Sequence, residues 1–310
     1  MDKLTIIANS EIQEKITPEF LINRFFYFLD VSSATNRTYR YGINQFMQYL
    51  HRENISKPTR ETIIAYKKAL ISKGLKPSTV ALYLSSIRRF FSWCASEKLY
   101  EDITLGIKSP KQQIGHKRDY LSGMQIQDTL KNTNSKRDYA MLALIATAGL
   151  RTIEIVRANL EDIRTLGDVS VLYVQGKGRT DKTEFVKLTP RVKQALKEYL
   201  SERESVKGNE PLFVSESRRN RGKRLTTRTV SGVAKQAMKK AGYDSPRLTA
   251  HSLRHSAATL ALQAGQTLED VSAFLRHSSI GVTMVYVHSV QRLNSLCEHS
   301  VASAIFGRSA

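Results

Sequence analysis

The chain has 310 residues, 41% of them hydrophobic, enough for two domains with real cores and too many for a globally disordered polymer. Its 48 Lys and Arg outnumber 28 Asp and Glu, and the net charge of +20 selects a polyanionic partner, nucleic acid ahead of a membrane surface. No apolar run approaches the ~20 residues a bilayer span needs. The first residues, MDKLTIIANSEIQEK, lack a signal-peptide layout, and two isolated cysteines, Cys94 and Cys297, make no disulfide framework. The expectation is a cytoplasmic, nucleoid-associated protein.

Thr17-Pro18-Glu19 reads as an N-cap, a proline at the first helical position and an early acid, and it opens the apolar run FLINRFFYFL. A second helix is expected over 34–53, with Tyr39, Ile43, Phe46 and Leu50 on one face. A third covers 60–73 and stops at Gly74. The fourth starts at Pro77 and carries Val80, Leu84, Ile87, Phe91 and Cys94 at helical spacing, which makes Cys94 a core residue. Four helices with no strand signal form a small bundle. Lys73, Lys76, Ser78 and Thr79 cluster where the third helix gives way to the fourth, a candidate contact to backbone phosphate. Residues 107–118 have no periodicity, contain Pro and Gly, and hold five basic or His residues; they are the expected linker. Residues 1–118 carry 19 Lys/Arg against 10 Asp/Glu, net +9, and residues 119–310 carry 29 against 18, net +11. Both halves are expected to touch the same polyanion.

From Tyr120 the pattern becomes mixed. A helix over 137–148 leads into Gly149-Leu150-Arg151. Residues 169–174 alternate and are β-branched, residues 183–188 mirror them, and the turn material between, with Lys177 and Arg179, makes a hairpin. A helix over 190–203 precedes a basic loop, 218–224, whose Arg219, Arg221, Lys223 and Arg224 join Lys73, Lys76 and Arg179 as candidate DNA contacts.

The chemistry concentrates between His251 and His288. His251 and Arg254 are one helical turn apart and share a face. Arg254 offers a planar fork that fits two phosphate oxygens, and His251, His255 and His277 can carry protons near neutral pH. Tyr286 follows a break at Ser278-Ser279-Ile280-Gly281, where a new short helix can present its hydroxyl. Bases, a clamp and a candidate nucleophile together suggest chemistry at a phosphodiester.

With TAGLRTIEI, VQGKGRTDK, HSLRH, LRHSS and TMVYVH in this order, the sequence resembles the tyrosine recombinase (phage integrase) family, in layout most like its Xer-type and simple integrase members. The resemblance is strong over 120–290 and rests on layout over 15–105. It implies a mainly α fold with a small antiparallel β-sheet (α+β): a helical, SAM-like core-binding domain over 1–106, the linker, a catalytic domain over 119–289 and a tail helix over 290–310 exchanged between protomers. It implies that Arg151 and Arg254 clamp one scissile phosphate, Lys177 protonates the leaving 5′ oxygen, His251 accepts the tyrosine proton, His277 bonds the phosphate and Tyr286 forms a 3′-phosphotyrosine. Glu154 would support Arg151 and His255 would pack nearby. Neither a metal nor another cofactor is implied. The partners implied are duplex DNA with inverted half-sites, a homotetramer around a Holliday junction, and accessory DNA-bending or directionality proteins, with no membrane. One departure stands out: Arg276 occupies a position where the family commonly has glycine, and is expected to contact DNA or the adjoining subunit or to reshape the turn.

Three other readings compete. A zinc site could use His251, His255, His277 and Cys297, although Arg254 would stand beside the cation. A non-cutting DNA-binding relative would keep the fold without the reaction. A type IB topoisomerase-like enzyme shares the chemistry, but the helical amino-terminal domain and the tail beyond Tyr286 favour recombination.

Overall fold

The computed structural model describes residues 17–111, 119–176, 178–203 and 207–307, with backbone alone for 288–294. The chain divides into two compact units, Met1–Gly115 and His116–Ala310. Among the described residues the fold is mainly α with one three-stranded sheet.

The first unit is built from α1 (Pro18–Phe28), α2 (Ser33–Arg52), α3 (Arg60–Ser72) and α4 (Pro77–Ser96). The Thr17 hydroxyl accepts from the Phe20 amide at 3.2 Å, and Pro18 sits at the first helical position, where its missing N–H costs nothing. Helix α3 ends just before Gly74, whose φ of +73° is open to glycine at no steric cost. Helices α2 and α4 approach closely at Gly42: a Cβ there would lie 2.6 Å from the Ser86 Oγ. The core is aromatic, with Phe25, Phe26, Phe46, Tyr49, Tyr66, Phe90 and Phe91 all buried, and edge-to-face pairs such as Phe25–Phe90, with centroids 5.4 Å apart. Cys94 lies fully inside this core, and burial pushes its thiol up to about 12. The start of the expected linker is tied to this unit: Lys67 donates to the Lys108 carbonyl at 2.7 Å, and Arg88 donates to the Ile107 carbonyl and the Ser109 hydroxyl. Residues 112–118 lie outside the described residues.

The second unit begins with α5 (Gly123–Lys131), α6 (Lys136–Ala148) and α7 (Thr152–Arg157). The strands β1 (Ile163–Leu166), β2 (Val169–Val174) and β3 (Glu184–Lys187) follow, then α8 (Pro190–Leu200), α9 (Thr227–Lys240), α10 (Ala250–Gln263), α11 (Leu268–Phe274), α12 (Gly281–Asn294) and α13 (Cys297–Phe306). Helix α6 is apolar nearly all round and runs through the middle of the core, as such a helix must. Helix α10 packs against it and against α12, so the segment from Arg254 to Thr259 is wholly buried. The sheet is antiparallel in the order β1-β2-β3.

One expectation is extended and one is corrected. The expected hairpin is the β2–β3 part of a three-stranded meander. Strand β1 joins it through the two-residue connection Gly167-Asp168, with Leu166 opposite Val169 and Gly167 at φ +55°. The tail over 290–305 is also not one helix. Helix α12 continues to Asn294, Ser295 turns extended (ψ 128°) with its hydroxyl accepting from the Cys297 amide at 3.4 Å, and α13 starts afresh. No residue of α13 is buried; Val301, Ile305 and Phe306 are exposed.

Candidate active site

The site is organised around one carboxylate. Helix α6 ends at Gly149, left-handed with φ +59°, where a Cβ would meet Leu275 Cδ2 at 2.8 Å. Only glycine satisfies both the backbone angle and the space. The chain then turns so that Arg151 caps α7 and Glu154 stands in its first turn. Glu154 is fully buried. It accepts from the Arg151 amide at 2.8 Å, from Arg151 Nη1 at 2.7 Å and from Arg276 Nη2 at 2.8 Å, with Arg254 Nη1 at 4.0 Å. Burial alone would raise its pKa. The Arg276 charge and the bonds from Arg276 and Arg151 outweigh that and hold it below the ordinary glutamate value.

Arg254, on the second turn of α10, is 1% exposed, and its guanidinium donates to the carbonyls of Gly149 and Leu275. Burial, with the nearby Arg151 charge, pushes its pKa down to about 9, so it stays cationic at neutral pH. Arg151 keeps 26% of its side chain exposed, and its Nη2 donates to the Arg276 carbonyl at 3.1 Å. Three arginines thus surround one glutamate.

Of the alternatives left open for Arg276, the structure favours a role within the turn over an outward contact. Its backbone is left-handed (φ +53°), which explains why glycine suits this position, but its side chain folds inward and is 5% exposed. Besides Glu154 it donates to the carbonyls of Phe274 at 2.8 Å and Gly149 at 3.2 Å.

His277 follows on the same turn. Its Nδ1 lies 2.8 Å from the Thr283 hydroxyl, and burial together with the charges of Arg254, Arg151 and Arg276 pushes its pKa down to about 4. It is neutral at physiological pH. Tyr286, on the second turn of α12, is buried at 5% exposure among Ala258, Val271 and Leu275. Its ring stands edge-on to His255 with centroids 4.6 Å apart and lies parallel to His277 at 6.3 Å. Tyr120 stacks on His255 at 6.3 Å. His251 is exposed at the start of α10. Lys177 lies outside the described residues, between the described Gly176 and Gly178.

The structure therefore gathers Arg151, Glu154, Arg254, Arg276, His277, Tyr286 and His255. Tyr120 and Thr283 went unrecognised in the sequence. Thr283 could have been found, because it sits one turn before Tyr286 on the same helix; Tyr120 carries no local signal. Among the described residues no three His, Cys, Asp or Glu side chains gather as metal ligands, and no helix is long and apolar enough to cross a membrane.

The basic residues divide. Lys73, Lys76, Arg219, Arg221 and Lys223 are exposed. Arg179 pairs with Glu184 at 3.0 Å. Arg224 donates to the carbonyls of Val156 and Ala158 and to the Asn159 side chain, and so braces its own loop.

Residues 119–292 match the profile of the phage integrase family, and residues 22–98 match that of the phage integrase N-terminal SAM-like domain. The tyrosine recombinase XerD of Oceanobacillus iheyensis is 32% identical over 288 residues, covering 87% of this chain and 94% of that protein. The tyrosine recombinase XerC of Haemophilus influenzae (strain PittEE) is 31% identical over 283 residues, covering 86% and 92%. In fold, the chain is similar to the XerH site-specific recombinase bound to palindromic difH substrate in a post-cleavage complex. That likeness has a TM-score of 0.71 and 23% identity, over 86% of this chain and 79% of that one. A lambda integrase (75–356) dimer bound to a COC′ core site gives a TM-score of 0.66 at 17% identity, over 86% and 96%.

Proposed function

The chain belongs to the phage integrase family, and on that premise we propose that it is a site-specific recombinase that cuts and rejoins duplex DNA through a covalent bond to Tyr286. The observation that carries this reading is the meeting of Tyr286, His277 and the Arg151–Arg254 pair around buried Glu154.

The Tyr286 oxygen attacks the scissile phosphorus as the bond to the 5′ oxygen breaks, leaving a 3′-phosphotyrosine and a free 5′ hydroxyl. His251 takes the tyrosine proton and Lys177 gives one to the leaving oxygen. Arg151 and Arg254 hold the non-bridging oxygens, where charge grows in the transition state. Glu154 keeps both guanidinium groups aimed. In the tautomer with its proton on Nε2, neutral His277 accepts the Thr283 hydroxyl at Nδ1 and presents its N–H to the phosphate. His255 holds the tyrosine ring by its edge. Attack by a 5′ hydroxyl from the partner strand reverses the step, so the phosphodiester bond energy is conserved and the protein needs no nucleotide.

Two duplexes require four cleavages, hence a homotetramer of this chain on inverted half-sites and a Holliday-junction intermediate. The domain roles follow: 1–106 is a DNA-binding domain, 119–289 the catalytic domain, and the exposed apolar face of α13 docks on a neighbouring copy. Lys73, Lys76, Arg219, Arg221 and Lys223 contact phosphate, with Arg179 available once it exchanges Glu184 for DNA. The protein works in the cytoplasm at the nucleoid, with accessory DNA-bending or directionality proteins as further partners.

A half-site nicked beside the cleavage position tests this, because loss of the short fragment traps the covalent complex. The parent chain should form the adduct in the presence of EDTA, and Tyr286→Phe should bind the DNA equally well and form none. An adduct in the phenylalanine variant would overturn the assignment.

A further inference from the structure

Arg276 takes part in a closed ring of three residues. Arg151 Nη1 donates to Glu154 Oε1 at 2.7 Å, Arg276 Nη2 donates to Glu154 Oε2 at 2.8 Å, and the Arg276 carbonyl accepts from Arg151 Nη2 at 3.1 Å. Two of the three links hold the Arg151 fork directly, and the third fixes the carboxylate that orients it. We infer that Arg276 is a positioning residue for strand cleavage: its inward guanidinium locks Glu154 and thereby holds the Arg151 fork in register with the scissile phosphate. This rests on the assignment of Arg151 and Arg254 as the phosphate clamp.

Three observations favour a functional device over a packing accident. A non-glycine residue in the left-handed region is strained, and such strain collects at sites where the surroundings over-determine it. The guanidinium is buried beside two other cations, Arg151 and Arg254, with Glu154 the one acid paired to it among the described residues. A hydrophobic residue, or none, would avoid that repulsion. Its Nε is buried without a hydrogen-bond partner among the described residues, a further cost that packing alone does not offset. In return, Arg276 joins two junctions that the chain leaves 122 residues apart: the α6–α7 turn, through Glu154 and the Gly149 carbonyl, and the α11–α12 turn that carries His277. The Gly149 carbonyl also accepts from Arg254, so the same bond network touches both arms of the clamp.

A residue that acts by aiming Arg151 should alter the chemical step and leave DNA affinity alone. The experiment measures single-turnover covalent trapping on the nicked half-site, over a range of protein concentration, for the parent chain, Arg276→Gly, Arg276→Lys, Glu154→Gln and the double variant Arg276→Gly/Glu154→Gln. Glycine is at ease at this backbone angle, so folding is retained, and a thermal melt of each variant checks it. Arg276→Gly is expected to slow trapping at saturating protein by between ~10- and 100-fold, the scale of a small misplacement of a catalytic group, with half-saturation unchanged within about twofold. Arg276→Lys supplies one cation to Glu154 and should recover part of the rate. The double variant should be no slower than the slower single variant, because both changes break one ring. A rate in Arg276→Gly equal to the parent's overturns the inference, as does a loss confined to half-saturation or additive losses in the double variant. Failure of the parent chain itself to form the adduct would instead overturn the clamp assignment beneath it.

Discussion

The two units bury different things. The first closes over an aromatic core in which Phe25 meets Phe90 and Phe46 meets Phe91 edge to face, and none of its Lys, Arg, Asp or Glu among the described residues is buried. The second has an apolar core of its own but also takes Arg254, Glu154 and the Arg276 side chain out of water. Apolar burial stabilises in proportion to area, whereas buried ions return little net stability after desolvation. The difference teaches that the first unit is built for stability, and that the second gives up stability for a preorganised cationic site.

The comparison breaks most visibly on paired substitutions. Arg254→Lys keeps the charge but loses the planar fork, and should slow covalent trapping by ~10²–10³-fold, the usual loss on removing one transition-state donor. Phe46→Ala should cost about 3–5 kcal/mol of stability by leaving a cavity, yet folded molecules should trap DNA at the parent rate. If Phe46→Ala slowed the chemical step as much as Arg254→Lys, the division between the units would be wrong.

Acidity separates the units next. His277 has its pKa held near 4 against an ordinary 6.5. Between those values the unfolded chain binds a proton that the folded chain refuses, so stability falls as pH drops through that window. Glu154, held below the ordinary glutamate value, adds a further loss at lower pH, as its carboxylate is protonated. In the first unit the signs reverse. Cys94 is raised from 9.0 to about 12 and Tyr66 is raised as well, both by burial, so the unfolded chain releases protons first and stability falls as pH rises above about 9. The single tryptophan, Trp93, packs against Phe25 and Phe90 in the first unit and reports on it alone. Alkaline unfolding should move Trp93 fluorescence, and the early acid loss should appear in circular dichroism with that fluorescence unchanged. His277→Asn should flatten the acid limb between pH 6.5 and 4.

The smallest effect concerns the tail. Truncation after Leu296 removes α13, which buries none of its residues on its own unit, and should change stability by no more than about 0.5 kcal/mol. Binding to one half-site should persist while cooperative occupancy of paired half-sites disappears. A large drop in melting temperature would mean that α13 belongs to its own fold.

Much of this architecture was legible in the chain. Thr17-Pro18 and Gly74 marked helix ends because caps and breakers act locally, and the ordered motifs named Arg151, Arg254, His277 and Tyr286, which the fold brings together. What was hidden depends on distant partners. Strand β1 is four residues long with one side half-buried at best, so it carries no alternation to read. The bonds from Arg224 to Val156 and Ala158 could not be read because those partners lie 66 residues or more away. The inward direction of Arg276 could not be chosen among its alternatives because neither its positive φ nor the buried acid it meets is written in its neighbours. The tail break falls at Ser295, where the backbone turns extended after α12, and no proline or glycine marks it in the sequence.

The most direct test of the central claim is to locate the DNA on the protein. The trapped complex of the parent chain, digested with nuclease and trypsin, should carry its residual nucleotide on the peptide spanning residues 277–292, HSSIGVTMVYVHSVQR, in which Tyr286 is the sole tyrosine. Fragmentation should place the added mass on that residue. A nucleotide on any other peptide, or on a serine or histidine of this one, would contradict the account.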